Sequence, residues 1–510
     1  MSDFVHGKGD IRIQNVGAEI GETNIGSERH LVLVAEGYVA DGDSTSGDPN
    51  IAYELSPPAN APIEAGSLFG DGSPLDIAVT EAYRQNAVPS GLTAISPPTV
   101  TVTGEDPEGN GGTLLNYPIV EELDRITVDD GTGTELTARF AYEHDPPAPA
   151  GSDPADVAIN PLRGEVAGLT SGGTVDYEYV DYESTFNHSE FLESVYVDEQ
   201  AEVMVPIDSE TVGLALAPAI ETMQKEYRGA MGYVGAEPNM TDDDGRPRID
   251  ADRGSGTAYT DSIDHDYIGL YGPSRLDWDP SASGGWRTAL PGVAGKIAGN
   301  DLTDPAYHDD LRGYGDLEQN LRGDELEYLR EQQVMPLTVV RRRSPRQSIV
   351  GGATTRSFSG RDQNVRIKGN VMSGTGTDYR RTQQTIRVLN AWTLNVHVEC
   401  EFLLGRLTDD EFLEEIEAVL RRDWQEFVRR GIVQETTGGT AAGGDGEDQQ
   451  NDQAARAGER DGDEAFFIEL RRAGDGRVEV GTGIAPTDVT ETIEVTNRVG
   501  SPGEVSSLSG

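Results

Sequence analysis

Leu31-Val32-Leu33-Val34-Ala35, followed by Glu36 and Gly37, is the stretch from which the fold is read. A continuous apolar run of this length, closed by a glycine, has no polar face to give to water. It is the pattern of a strand buried on both sides. Further on, Ser73-Pro74 opens a helix, with serine suited to the N-cap and proline to the first helical position. Leu75, Ala78, Val79, Ala82 and Tyr83 form its apolar face. The residues between, from Gly37 to about Ala65, read as a loop rich in Gly, Ser, Asp and Pro.

The same alternation resumes after residue 186. Residues 202–206 (EVMVP), 266–271 (DYIGLY) and 337–340 (LTVV) read as strands. Residues 209–228 and 324–333 read as helices, the first with a kink or break expected at Pro218. Residues 104–185 differ. Short β-like runs at 125–128, 137–142, 157–159 and 174–179 are separated by Gly, Pro and Asp turns at sandwich-like spacing.

Toward the C-terminus, the apolar residues of 379–404 fit both a strand and a heptad, and a helix followed by a strand is expected. Residues 408–430 form the clearest helix. Thr408 and Glu411 make a capping box, and Leu413, Ile416, Leu420 and Phe427 mark the apolar face. Acids occupy its first turn, arginines its last, and Gly431 closes it. Residues 436–463 are of low complexity and are expected to be disordered. A hairpin signature follows, 466–470 and 477–480 around Gly474-Asp475-Gly476.

The expected class is a multidomain α+β protein. Residues 28–103 and 186–360 form an α/β body, 104–185 an inserted β-sandwich-like module, 361–499 a C-terminal α+β core, and 500–510 a tail. Residues 1–27 are an extended arm whose one alternating run carries Ile11, Ile13 and Val16. A final strand at 492–496 carries Ile493 and Val495. Neither terminal strand has enough apolar surface to stand alone, so both are expected to add to a sheet edge of another subunit.

Composition bounds function. The 510 residues carry 90 acids against 40 bases, a formal net charge of −50 that would repel a phosphate backbone and argues against nucleic acid as a partner. Acids are spread from end to end and only four residues are lysine, the pattern of a salt-adapted protein. A single cysteine, Cys400, excludes an intramolecular disulfide. No apolar stretch approaches the roughly 18 residues of a membrane span, and no secretory signal is read at the N-terminus. The bases are not spread in the same way. Residues 335–400 hold eleven Lys and Arg against three acids, including Arg341, Arg342, Arg343, Arg346, Arg380 and Arg381. Such an island is expected to face an acidic neighbour, or acids of its own domain.

Catalytic and cofactor signatures fail. Gly292-Val293-Ala294-Gly295-Lys296-Ile297 resembles a phosphate-binding loop, but Leu290 stands where its first glycine belongs and Ile297 where Ser or Thr belongs. There is no GxSxG elbow and no HExxH. Cys400 lies in an apolar run, His265 reads as a loop histidine, and residues 242–245 (DDDG) read as a solvated acidic turn. No cofactor, metal or catalytic residue is expected.

The order of segments resembles the contractile tail sheath family of phages and related injection machines. Residues 31–37 resemble its opening strand, Ser67-Leu68-Phe69-Gly70 with the helix after it the "FG…helix" segment, and 266–273 (DYIGLYGP) the strand ending in "YxP". Residues 291–301 (PGVAGKIAGND) resemble "P…VAGxxAxxD", and 477–493 (RVEVGTGIAPTDVTETI) the closing "VEIGIAPxxPAEFI" strands. Residues 326–340 resemble the "LN…GI" helix and strand, and 351–355 the "WGARTL" turn. Arg380-Arg381, the helix at 408–430 and 431–433 (GIV) resemble the C-terminal core. Two departures stand out: Gln333 replaces the usual Asn before "GI", and the tryptophan of the turn is missing.

The resemblance implies a non-enzymatic subunit that assembles as hexameric rings, stacked helically around a tail tube. It contracts to drive the tube through a target envelope, with tube, baseplate and tail terminator proteins as partners and no membrane insertion. The setting would be a virion tail, assembled in the host cytoplasm, or a cellular injection machine. A static acidic surface or capsid-type protein and a salt-adapted hydrolase are the other classes open to the sequence.

Overall fold

The computed structural model describes residues 29–484 apart from 38–46, 56–59, 86–88, 90, 145, 151–153, 196–199, 226–228, 242–246, 250–264, 278–285, 303, 305, 308, 315–316, 344–345, 351–352, 358–360, 375–381, 402–409, 434–465 and 475–476. The chain opens with β1 (Arg29–Val34), β2 (Ala52–Leu55), α1 (Ala61–Phe69), α2 (Pro74–Tyr83) and β3 (Gly91–Ile95). Ser73 caps α2 as expected, its hydroxyl accepting from the Asp76 amide at 3.2 Å. The loop expected as far as Ala65 carries β2 and α1 instead. Its Gly and Pro content hides the four-residue spacing of Ala61, Ala65 and Phe69, all buried.

Next come β4 (Thr99–Glu105), β5 (Thr127–Asp129), β6 (Glu135–Leu136), β7 (Ala138–Phe140), β8 (Val157–Ile159), β9 (Val166–Ala167) and β10 (Thr174–Val180). They form two small sheets, β4-β10-β5-β6 and β7-β8-β9. Val128, Val175 and Tyr177 of the first share one apolar cluster with Val157 and Ile159 of the second. β4 pairs antiparallel with β10, so the first and last strands of this β-module lie side by side.

The body continues through α3 (Tyr182–Phe186), α4 (Ser189–Val195), β11 (Gln200–Met204), α5 (Glu210–Lys225) and β12 (Met231–Gly235). Helix α5 runs through Pro218 without interruption. The hairpin β13 (Met240–Thr241) and β14 (Pro247–Arg248) precedes β15 (Ile268–Gly272). The hairpin β16 (Arg275–Asp277) and β17 (Trp286–Thr288) precedes α6 (Leu290–Gly299) and β18 (Asp310–Leu311). Then follow α7 (Asp324–Glu331), β19 (Val334–Arg343), the hairpin β20 (Arg346–Val350) and β21 (Ala353–Ser357), and β22 (Arg361–Ile367). The chain closes with α8 (Gln383–Glu401), α9 (Asp410–Arg429) and the ribbon β23 (Phe466–Gly474) and β24 (Arg477–Ile484).

The nine-stranded sheet has the order β18-β22-β19-β15-β12-β11-β1-β3-β2. From β3 across to β19 all pairs are parallel. Leu31 and Leu33 of β1 enter one apolar layer with α1, α2 and α6, while Val32 and Val34 enter another with α3 and α5. Burial on both faces is what made the run read as continuous.

Residues 292–297, which resembled a phosphate loop, lie inside α6 and are buried. A Cβ on Gly295 would stand 2.1 Å from the Ala82 carbonyl oxygen, and one on Gly292 would stand 2.3 Å from the Tyr314 ring. The glycines let α6 press against α2. The strand expected in the second half of 379–404 is absent, because α8 runs unbroken to Glu401. It is covered from two sides. Ile386 packs into the body, whereas Val388, Ala391 and Trp392 pack on α9. Apolar residues at many spacings then mimic a strand's alternation. In α9, Ile416, Leu420 and Phe427 are buried as expected, and Gly431 closes the helix at φ 74°. Thr408, the expected cap, lies outside the described residues.

Gln333 sits at φ 60° just after α7. That left-handed position favours Gly or Asn. Gln333→Gly is expected to raise stability by about 0.5–1 kcal/mol in urea unfolding. Gly295→Val is expected to lower it by about 1–3 kcal/mol, because the α2–α6 contact leaves no room for a side chain.

Candidate functional site

In an open parallel sheet, ligands bind beyond the carboxyl ends of the strands, where the strand order reverses. Here that point lies between β1 and β11. β1 leads to Glu36, β11 to Asp208, β12 to Glu237, and β15 to Ser274 and Arg275. Polar residues of the β-module fill the place.

Arg275 is the hub and is buried. Its Nε donates to Asp208 at 3.0 Å and its terminal nitrogens to Glu121 at 2.6 and 3.3 Å. Its guanidinium lies 4.5 Å from the centre of the Tyr142 ring, whose hydroxyl also donates to Glu121, at 2.8 Å. The Ser274 hydroxyl donates to Asp208. Nearby, Arg163 donates to Glu237 at 2.5 Å, and Glu237 accepts from the Glu210 amide at 3.0 Å. Glu121, Tyr142 and Arg163 belong to the module and its connections, the rest to the body. The junction therefore carries ion pairs beside an apolar contact, in which Val120 and Val180 of the module share a cluster with Val32 and Val34 of β1.

Arg125 completes it, pairing with Glu122 at 2.6 Å and Glu178 at 2.7 Å. Two carboxyl oxygens are sealed from solvent with no hydrogen-bond partner, Oε1 of Glu36 and Oε2 of Glu318. Burial pushes the Glu36 carboxyl up to about 7 and Asp208 up to about 6, against the pull of Arg125 and Arg275 respectively. Burial, then the neighbouring Asp208, holds Glu318 well above the usual carboxylate range. These carboxyls bind protons more tightly folded than unfolded. For Glu36 and Asp208 the favourable contribution is complete below the ordinary carboxylate range and fades as pH rises through about 6 to 7.

A second network ties α8 to the sheet. Arg387 and Glu202, both buried, pair at 3.0 Å. Tyr233 donates to Glu202 at 2.7 Å, Gln383 to Tyr233 at 3.0 Å, and Arg387 to the Ile297 carbonyl at 2.8 Å. Neither network was singled out in the sequence. The available signal was a charge inside an apolar run, Glu202 in a strand and Arg387 in a helix.

The basic island divides. Arg387 turns inward, and Arg366 pairs with Asp310 at 2.6 Å. Arg341, Arg342 and Arg343 lie on the distal half of β19, opposite Gln363, Asp362 and Arg361 of β22. β15 pairs with β19 only at Val334, Met335 and Pro336, so this part of the ribbon runs on past it. Arg343 and Arg361 are register partners in the β19–β22 ladder. Arg346 opens β20 opposite Ser357. Arg380, Arg381, Ile11, Ile13, Val16, Ile493 and Val495 lie outside the described residues.

Among the described residues no three His, Cys, Asp or Glu side chains form a group able to hold a metal ion. Burial pushes the half-buried Cys400 thiol up to about 11, opposite to the shift of an activated nucleophile. His265 accepts from the Tyr267 amide at 3.3 Å and packs edge-on to its ring. The DDDG turn at 242–245 lies outside the described residues. No helix among those described is long and apolar enough to cross a membrane.

Arg387→Met is expected to cost about 3–5 kcal/mol in urea unfolding, because it strands a buried carboxylate. Adding Glu202→Leu should recover most of that loss.

No family model and no curated protein sequence matches the chain. Solved structures do. A chain of the anti-feeding prophage baseplate, six-fold symmetrised, matches with TM-score 0.50 at 11% identity, over 93% of this chain and 94% of that one. The contracted helical sheath of the same prophage matches with TM-score 0.49 at 10% identity, over 95% and 99%. The contracted PVC sheath complex of an extracellular contractile injection system matches with TM-score 0.48 at 10% identity, over 96% and 99%. The chain therefore shares its fold with a chain of the anti-feeding prophage baseplate, over almost the whole length of both.

Proposed function

We propose that this chain is the structural subunit of a contractile sheath. It forms six-membered rings that stack helically around a tail tube, joins baseplate and terminator proteins at the ends, and shortens to drive the tube through a target envelope. The carrying observation is a fold shared over almost the whole of both chains with a component of a six-fold baseplate. The role is mechanical and needs no catalysis. The setting is a virion tail or a cellular injection machine, in a salt-adapted source given the net charge of −50.

Two features support the reading. Among the described residues, β23 and β24 pair only with each other, which leaves a two-stranded ribbon with two open edges. The arm strands, with Ile11, Ile13 and Val16 at one end and Ile493 and Val495 at the other, are proposed to add to such edges on neighbouring subunits. The excess of arginine over acid in residues 335–400 fits an acidic partner, a tube or an adjoining subunit.

Negative-stain microscopy of the purified protein in molar salt tests the class directly. Cylinders are expected, whereas flat or icosahedral assemblies would indicate a static shell. Deleting residues 1–22 should leave a folded body that forms no tubes, and tubes of normal length would overturn the role of the arm. Changing Arg341, Arg342 and Arg343 together to Gln should weaken co-sedimentation with the tube protein at about 2 M salt, where screening leaves only close contacts. Melting of the isolated subunit should be unchanged.

A further inference from the structure

The junction between the β-module and the sheet holds more acid than its arginines can neutralise. Among the described residues, Glu36, Glu121, Glu122, Glu178, Asp208 and Glu318 meet the guanidiniums of Arg125 and Arg275, while Arg163 is taken up by Glu237. Both are engaged, Arg275 with Asp208 and Glu121, Arg125 with Glu122 and Glu178. Glu36 and Glu318 keep a sealed oxygen without a partner. An ionised carboxylate in such a place is costly, whereas a protonated one is tolerated.

We propose that the seat of the β-module on the carboxyl edge of the sheet is a proton-operated latch, closed while Glu36 and Glu318 carry protons and loosened when they give them up. Glu36 faces Arg125, Glu121, Glu122 and Glu178 across the junction, and Tyr182 of α3 from the body. Glu318 faces Asp208 and Arg275, and its amide donates to the Arg275 carbonyl at 2.8 Å. On ionisation each adds a negative charge where acids already prevail. The strain falls on the ionic contacts that cross between module and body, not on the apolar cluster that Val120 and Val180 of the module share with Val32 and Val34. The latch follows from the fold and this junction alone, and does not depend on assembly.

Hydrogen exchange of the full chain, in constant molar salt, tests it. After correction for intrinsic exchange, amides of 36–37, 119–126 and 274–276 should exchange about tenfold faster near pH 8.5 than near pH 5.5, with β1 and β12 amides unchanged as the reference. Glu36→Gln with Glu318→Gln should cut this response by at least half, the remainder belonging to Asp208. Should the double variant fold poorly, Glu36→Gln alone, at a half-buried side chain, should still reduce it. Arg125→Gln separates a titrating latch from a merely structural contact. It removes the cation that favours ionised Glu36, so the opening midpoint should move to higher pH. Equal corrected exchange at both pH values, an unchanged response in the Gln variants, or an Arg125→Gln variant that opens equally at all pH would overturn the latch.

Discussion

Strand β1 has no face turned to water, and the rest of the molecule is arranged to keep it so. Its leucines need one helical layer and its valines another, so the body must be three layers deep. Fully burying each such side chain is worth about 1.5–3 kcal/mol. The demand propagates outward. For α6 to lie close to α2, Gly295 must have no side chain, and a sequence that looks like a nucleotide loop turns out to be a packing surface.

Legibility followed locality. β1, α2, α9 and the terminal ribbon could be read because their signals sit within a few residues: a doubly apolar run, a Ser-Pro cap, a charge gradient, a Gly-rich turn. α1 was hidden by Gly and Pro that looked like a loop. α8 was misread because two bodies cover it, so that its apolar residues follow no single period. Both polar networks were illegible as networks. Arg387 meets Glu202 across 185 positions and Arg275 meets Glu121 across 154, and no local pattern encodes such a pairing. What did show was the anomaly of a lone charge in an apolar context. The motif order resembles the contractile sheath family, and the fold is that of a chain in an injection-system baseplate, although no family model matches.

The choice of cation inside is consistent. The chain has four lysines in all, and both buried hubs are arginines. A guanidinium can serve several acceptors in fixed directions and stay charged when desolvated. Arg387 reaches a carboxylate and a carbonyl, and Arg275 reaches two carboxylates and a ring face. In a molecule so rich in acid outside, the interior is organised by a few fixed positive charges. Where their number falls short, protons make up the difference.

The pairing of β4 with β10 has a mechanical side. Thr99 and Val180 are register partners at the base of the module, so the chain leaves the body and returns to it across a single ladder rung. Adjacent strands lie about 5 Å apart. A pull transmitted along the body's main chain therefore meets that ladder first and crosses it, bypassing the residues between. The module is shunted out of the line of force. It can vary in size or sequence with little effect on how the body carries tension, provided those two strands stay together.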